Sequence, residues 1–164
     1  MRRSALLIAA LSCTAASAQR LSNLKTPTPI PAGSALVIGF LGFYDGWNDE
    51  HRSVRRLVLK LRQQPGVYAE SISNHRRRVT LKFIRRALDT NRDGKLEPEE
   101  KYQARIILFG QSWGGGAAVF TARDLEKLGI PVLLTVQVDS VGINDTLSPT
   151  AITVSVWSRS ARVA

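Results

Sequence analysis

The chain has 164 residues, of which 44% are hydrophobic and 22% charged, and its formal net charge is +10 at pH 7. This length predicts one domain, and this composition is that of a globular protein with an apolar core rather than of a disordered or fibrous chain. The single cysteine, Cys13, excludes a disulfide framework and a thiolate metal site within that domain.

The first residues predict a secretory signal peptide over 1–18. Arg2 and Arg3 follow the initial methionine, an apolar run follows over 5–11, and the small residues 16–18 are typical of a cleavage site. The apolar run is too short to span a bilayer, so we expect an exported chain, periplasmic or secreted, with no transmembrane segment after cleavage. A lipoprotein anchored at Cys13 is the alternative, although the residues before the cysteine fit that signal poorly.

Basic residues cluster along the chain. The clustered positions are Arg52, Arg55, Arg56, Arg76, Arg77, Arg78, Lys82, Arg85 and Arg86. Solvated basic faces on two helices explain such clusters, and weak contact with an anionic surface is the alternative. Nucleic acid is not expected as a partner, because an exported protein rarely meets it.

The first half of the chain alternates between strand and helix patterns. Residues 19–33, rich in proline and polar side chains, predict an extended segment before a domain over 34–148. "SALVIGFLGF" predicts a buried strand that ends in a glycine-containing loop, and a helix over about 49–63 follows with Asn48 as its cap. "VYAESIS" predicts a second strand, after which Asn74 is expected to cap a second helix.

The second half continues the alternation. "ARIILFG" predicts a third strand, the helix after it is expected to bury Ala117, Phe120 and Leu125, and "IPVLLTVQVDS" predicts a fourth strand. Strands that alternate with helices and are almost continuously apolar predict the α/β class, with a mostly parallel sheet and helices on both faces. Residues 149–164 form a tail that fits either a strand or a frayed end.

The third strand leads into "FGQSWGGG", which carries a G-x-S-x-G pattern centred on Ser112. In a nucleophile elbow the turn between strand and helix is so tight that small residues must flank the serine, as Gly110 and Gly114 do here. The amides at the start of the following helix would face a developing negative charge, and the Trp113 N–H would be one oxyanion donor. A merely structural glycine turn is the alternative.

With this context, residues 35–145 resemble the centre of an α/β-hydrolase of the lipase and esterase kind, and the elbow is the specific motif. The resemblance implies a partial α/β-hydrolase fold and a small-molecule or lipid ester as substrate. It implies that Ser112 is the nucleophile, that Asp139 is the acid of the catalytic triad, and that the backbone near Leu41 supplies a second oxyanion donor.

The chain departs from the family pattern at the catalytic base, which should follow the acid. Both histidines, His51 and His75, precede Ser112, and their acidic and basic neighbours favour surface positions. We therefore expect impaired activity, and the small number of strands predicts a truncated or frameshifted hydrolase. A non-catalytic, calcium-binding or structural exported module with a vestigial elbow is the alternative function.

The loop "DTNRDGKLEPEE", residues 89–100, has the twelve-position spacing of an EF-hand calcium loop, with Gly94 at the sixth position for the sharp turn. The predicted ligands are Asp89, Asn91, Asp93, the Lys95 carbonyl, Glu97 and Glu100. Lys101 and a short exit helix depart from the pattern, and no second loop pairs with this one, so modest affinity and a bracing role are expected. An Asx-rich loop with surface acids is the alternative.

Overall fold

The protein is described here by a computed structural model that covers residues 19–103, 105–141 and 152–156. The predicted signal peptide, the alternative anchor Cys13 and most of the predicted tail lie outside these ranges. Within them, no helix combines the length and the apolar character needed to cross a bilayer.

Strands and helices alternate along the described chain, as the sequence predicts. After a 3₁₀ turn at Leu21–Asn23, the elements are β1 Ala35–Leu41, α1 Ser53–Leu61, β2 Val67–Ser73, α2 Arg77–Leu88, α3 Pro98–Tyr102, β3 Ile106–Gln111, α4 Trp113–Lys127, β4 Val132–Val138 and β5 Ile152–Val156.

The strands form one sheet in the order β2-β1-β3-β4-β5. The first four are parallel, and β5 pairs antiparallel with β4. This arrangement confirms the predicted α/β class with a mostly parallel sheet. The fifth strand comes from within the predicted tail, and it adds to one end of the sheet.

Helices cover both faces of the sheet, as predicted. Leu36, Ile38 and Phe40 of β1 belong to a core cluster that also contains the buried side chains of α2 and α4. Val37, which lies between them, packs with Val58 of α1 on the opposite face. Because successive side chains of a strand point to opposite faces, the continuous apolar run of β1 supplies both layers.

Three local predictions are wrong. Helix α1 begins at Ser53 rather than near residue 49, and its N-cap is Arg52 rather than Asn48. The N-cap of α2 is Arg76, because the Asn74 side chain instead donates to the carbonyl oxygens at the end of β1 and in the loop after it. Phe120 of α4, predicted to be buried, is 39% exposed.

The first part of the N-terminal segment, over 19–26, contacts β2, the edge strand at one end of the sheet. The buried Gln19 side-chain amide donates to the Ser71 carbonyl at 2.8 Å, and its oxygen accepts the Ser73 N–H at 3.0 Å. One side chain therefore mimics a strand residue at an edge that would otherwise present unpaired backbone groups.

Glu70, a fully buried residue of β2, accepts hydrogen bonds from the same segment through its carboxylate. Its Oε1 accepts the N–H groups of Lys25 and Thr26 at 2.6 and 2.7 Å and the Thr26 hydroxyl at 3.0 Å. Its Oε2 pairs with the Arg62 guanidinium at the end of α1. The carboxylate is thus both hydrogen-bonded and charge-paired, which is what makes its burial tolerable.

Candidate active site

Ser112 joins β3 to α4 in a backbone conformation that residues other than glycine rarely adopt, with φ 54° and ψ −124°. Such a conformation costs roughly 1–3 kcal/mol and persists only where the surroundings impose it. Here the Ser112 N–H donates to the Val138 carbonyl at 2.9 Å, and the Val141 N–H donates to the Ser112 carbonyl at 3.3 Å. The end of β4 therefore holds the strained turn in place, as an elbow requires.

The two glycines of the motif are needed because the backbone packs too closely for any side chain. A Cβ atom at Gly110 would overlap the Gly114 carbonyl, and one at Gly114 would overlap the Phe40 carbonyl of β1. The first turn of α4 thus lies directly against the ends of β1 and β3. The G-x-S-x-G spacing is a steric consequence of that approach.

The Ser112 hydroxyl is not used to cap the helix that follows it. Ser112 is the N-cap residue of α4, where a serine side chain ordinarily accepts an N–H from the first turn, yet it forms no such hydrogen bond. Trp113 is the first residue of α4, so its N–H has no partner within the helix. A partly exposed hydroxyl and a helix-terminal amide therefore stand side by side.

The strand order places this turn where open α/β sheets bind ligands. The chain leaves β1 toward the α1 face and leaves β3 toward the opposite face, so the carboxyl ends of these neighbouring strands open a crevice between them. Leu41 ends β1 and is fully buried, and its carbonyl oxygen would lie 2.8 Å from a Cβ at Gly114. The fold thus brings the predicted Leu41, Ser112 and Trp113 together at one crevice.

An exposed aromatic cluster adjoins the elbow, and the sequence analysis did not single it out. Phe43 packs edge-to-face on Trp113, with ring centroids 4.8 Å apart, and on Tyr44 at 4.0 Å. These side chains are 50%, 50% and 84% exposed, respectively. The signal for such a surface was present in "GFYDGW", because aromatic residues in a loop at a strand's carboxyl end have no core to enter.

Asp139, the predicted acid, follows β4 at the same edge of the sheet as Ser112. It also has a left-handed backbone conformation, with φ 47°. Val138, directly before it, contributes the carbonyl that accepts the Ser112 N–H, and Val141, two residues after it, contributes the N–H that the Ser112 carbonyl accepts. Ser112 and Asp139, which directly follow adjacent strands, therefore both have positive φ at the carboxyl edge of the sheet.

His51 lies in the loop that connects β1 to α1, on this same edge. The Ser53 hydroxyl donates to the Gln111 side chain at 2.7 Å, which links the start of α1 to the residue before Ser112. Arg52 bridges the carboxylates of Asp45 at 3.2 Å and Asp49 at 3.0 Å and fixes the loop. The imidazole is exposed, as the sequence predicts.

His75 follows β2 and is also exposed, as predicted. It lines a cavity of about 510 Å³ together with the start of α2 and the side chains of Ala117 and Phe120 on α4. Within the described ranges neither histidine forms a hydrogen bond with Ser112. The described structure thus places the predicted nucleophile Ser112 beside the Trp113 N–H, and neither histidine is bonded to it.

In the predicted calcium loop, side-chain oxygens accept hydrogen bonds from backbone N–H groups of the same loop. Asp89 accepts the Gly94 N–H at 3.0 Å, and both Asp89 and Asn91 accept the Asp93 N–H, at 3.1 and 2.9 Å. Asp93 accepts the Lys95 N–H at 2.8 Å, and Gly94 has φ 83°. Three Asx side chains therefore turn inward around a sharp bend, where their remaining lone pairs suit a hard cation.

Glu100, the predicted twelfth-position ligand, is already engaged by the loop. Its Oε1 accepts the Thr90 hydroxyl at 2.6 Å and the N–H groups of Thr90 and Asn91 at 2.7 and 3.3 Å, and its Oε2 accepts the Glu97 N–H at 3.0 Å. The Thr90 hydroxyl bond is the main reason that the pKa of this buried carboxyl lies below its usual range. Among the described residues, no three His, Cys, Asp or Glu side chains are grouped to hold a metal ion.

Comparison with known proteins returns no match, whether to a family model, to a curated protein or to a solved structure. A function for this chain therefore has to be argued from the chemistry of its own residues.

Proposed function

We propose that the protein is a serine hydrolase of the carboxylic ester class, with an α/β-hydrolase-like site in which Ser112 is the nucleophile. The strained conformation of Ser112 carries this proposal. A serine held at φ 54° between two obligatory glycines costs stability, and its hydroxyl gives no helix cap in return. Strain of this kind is expected where a reactive side chain must be presented to a ligand.

In this mechanism the Ser112 Oγ attacks the acyl carbon of an ester and loses its proton to a base. The negative charge that develops on the carbonyl oxygen is stabilised by the Trp113 N–H and the N-terminus of α4, with the backbone near Leu41 as second donor. Collapse of this intermediate releases the alcohol, and water then releases the acid from Ser112. Asp139 would orient the base.

The aromatic cluster supports an apolar acyl group as the part of the substrate that is recognised. Phe43, Tyr44 and Trp113 expose their rings beside Ser112. An apolar group of the substrate that covered these rings would bury a large apolar area. An ester with an alkyl or lipid acyl chain fits this surface better than a charged ester. The predicted signal peptide supports a substrate that is met outside the cytoplasm.

The base is the missing part of the proposed machinery, so the activity should be weak. Oxyanion donors and binding alone retain roughly 10³–10⁴-fold catalysis over water in enzymes that have lost a triad member. His51 and His75 both lie at the carboxyl edge of the sheet. Each is open to test as the group that accepts the proton.

Labelling with an alkyl fluorophosphonate, which reacts with activated serines, tests the proposal. We expect slow labelling that maps to Ser112 by mass spectrometry, is absent in Ser112→Ala and is unchanged in Ser22→Ala, where an exposed serine of the 3₁₀ turn is removed. A further drop in His51→Ala or His75→Ala would identify the base. A folded wild-type protein without any label on Ser112 would contradict the hydrolase proposal.

We also propose that loop 89–100 binds calcium, because the inward-turned oxygens of Asp89, Asn91 and Asp93 supply the ligand type that a hard cation prefers. The Lys95 carbonyl, Glu97 and Glu100 would complete the set of ligands. The positive charge of the ion would hold these oxygens together and so brace the loop. Glu100 would have to release hydrogen bonds, which agrees with a modest affinity.

Calorimetric titration with calcium tests this second function. Wild type should give a saturable heat, Asp89→Ala should give none, and Glu126→Gln, which removes an exposed carboxylate of α4, should behave as wild type. Absence of heat in the wild type would refute calcium binding and leave a hydrogen-bonded Asx-rich loop. A calcium-dependent rise in stability without labelling of Ser112 would favour the non-catalytic module over the hydrolase.

A further inference from the structure

A second, strongly basic cleft lies away from the elbow, on the outer side of α2. One wall is a face of α2 on which basic and apolar residues recur at helical spacing, and the opposite wall is the bend of loop 89–100 with the end of α4. Its volume is about 790 Å³. The basic side chains that line it are Arg78, Lys82, Arg85, Arg86, Arg92 and Lys95.

None of these six cations forms an ion pair with a carboxylate in the described part of the chain, whose salt bridges involve other residues. Asp89 is the one carboxylate among the described lining residues, and it already accepts the N–H groups of Asp93 and Gly94. Six like charges around one depression repel one another. An anion that entered the cleft would relieve that repulsion.

The floor of the cleft is apolar. Leu81 and Leu96 contact the main core cluster while remaining partly accessible, and Leu128, at the end of α4, is 42% exposed. A ligand that contacts both the basic side chains and the leucines therefore carries negative charge and apolar surface together. The described lining holds no aromatic ring, although stacked aromatic side chains are how proteins hold single-stranded nucleic acid.

We propose that this cleft docks the protein on a membrane surface by binding the phosphate headgroups of anionic phospholipids. The arginines and lysines contact the phosphates, and the leucines contact the adjoining glycerol and acyl carbons. Several basic residues close to an anionic bilayer act together, since each contributes roughly fivefold to the affinity. This inference is independent of the proposed chemistry at Ser112.

Sedimentation with vesicles tests the proposal, using phosphatidylglycerol mixed with phosphatidylcholine, phosphatidylcholine alone as the neutral reference, and the chain from residue 19 onward with a chelator present. Wild type should bind only the anionic vesicles. Lys82→Gln/Arg85→Gln should bind about 25-fold more weakly, as two basic side chains are lost. Arg56→Gln/Lys60→Gln, which removes the same charges from exposed positions of α1, should bind within about twofold of wild type.

Three outcomes would overturn the inference. Equal losses in the two double variants would show attraction by net charge alone, and equal binding of the zwitterionic phosphatidylcholine vesicles would exclude recognition of a net negative headgroup. Glycerol phosphate that binds in solution as tightly as the vesicles do would make a soluble phosphate ester the ligand. The chelator keeps the test separate from calcium binding, and thermal melts of both variants establish that they are folded.

Discussion

Ser112 combines a backbone conformation that lowers stability with the hydroxyl group on which the proposed chemistry depends. Its positive φ is compatible with glycine and strained for any residue with a Cβ atom. A glycine at this position would relieve the strain, but it would remove the hydroxyl. A serine at this position keeps the hydroxyl at a cost in stability, as the proposed nucleophile requires.

This account predicts that Ser112→Gly is more stable than Ser112→Ala by about 1 kcal/mol, because alanine keeps the strain whereas glycine removes it. Urea denaturation of both variants measures the free energies of unfolding. Glu126→Gly compared with Glu126→Ala, at an exposed position of α4 where glycine should cost about 1 kcal/mol, is the control for the intrinsic effect of glycine. A Ser112→Gly protein that is less stable than Ser112→Ala would show that the turn is not strained.

At the scale of the element, Glu100 organises a helix too short to be stable alone. Its side chain accepts the Glu97 N–H at the start of α3 and, across the loop, the Thr90 hydroxyl and two N–H groups. The two carboxylate oxygens thus close the loop between α2 and α3. The same residue is the twelfth position of the predicted calcium loop, so it has a structural role whether or not a cation binds.

The lowered pKa of Glu100 gives a pH dependence. Because its folded-state pKa lies below its usual value near 4.5, its ionised form stabilises the fold above that value, and the stabilisation is lost as pH falls through the folded pKa. We expect Glu100→Gln to be less stable than wild type by about 1–2 kcal/mol at pH 7, since the amide opposes the Glu97 N–H. The difference should shrink below pH 4.5.

Thermal melts at pH 7, 5 and 3 check this expectation. Glu99→Gln is a suitable control, because Glu99 is an exposed carboxylate of the same short helix whose side chain has no part in closing the loop. A stability difference for Glu100→Gln that stays constant from pH 7 to pH 3 would show that the carboxylate charge has no part in closing the loop.

At the scale of the whole molecule, the strand order does most to define the site. Residues after β1, β3 and β4 are distant in sequence, and parallel pairing brings them to one edge. Because α1 and α4 pack on opposite faces of the sheet, a crevice opens at that edge. The basic cleft likewise forms only because α2, loop 89–100 and the end of α4 meet.

The N-terminal segment completes this architecture at the far end of the sheet. Gln19→Ala should lower the free energy of unfolding by about 2 kcal/mol, because it leaves the Ser71 carbonyl and the Ser73 N–H of the edge strand without partners. Urea denaturation measures this change, and hydrogen exchange should show the loss of protection at Ser73. Arg20→Ala, an exposed neighbour, should change stability by less than about 0.5 kcal/mol. An unprotected Ser73 amide in the wild type would contradict the edge-capping role.

The class of fold and the turn at Ser112 could be predicted because local sequence patterns indicate both. Continuous apolar strands that alternate with amphipathic helices specify a parallel sheet, and tight steric limits leave a clear residue pattern at Gly110 and Gly114. The helix caps could not be predicted in the same way. Asn74 is a good cap by residue type, but tertiary carbonyl acceptors at the end of β1 and in the loop after it compete for its side chain.

The sequence by itself therefore determined the periodicity, the glycine-flanked serine and the spacing of the acidic loop, since each depends on residues within a dozen positions. Only the tertiary structure decided that the aromatic loop lies beside Ser112 and that Glu100 turns inward. It alone decided that Arg78, Lys82, Arg85 and Arg86 of α2, although exposed, line one cleft with Arg92 and Lys95. These features depend on contacts between segments far apart in the chain, and no local pattern records which segments will meet.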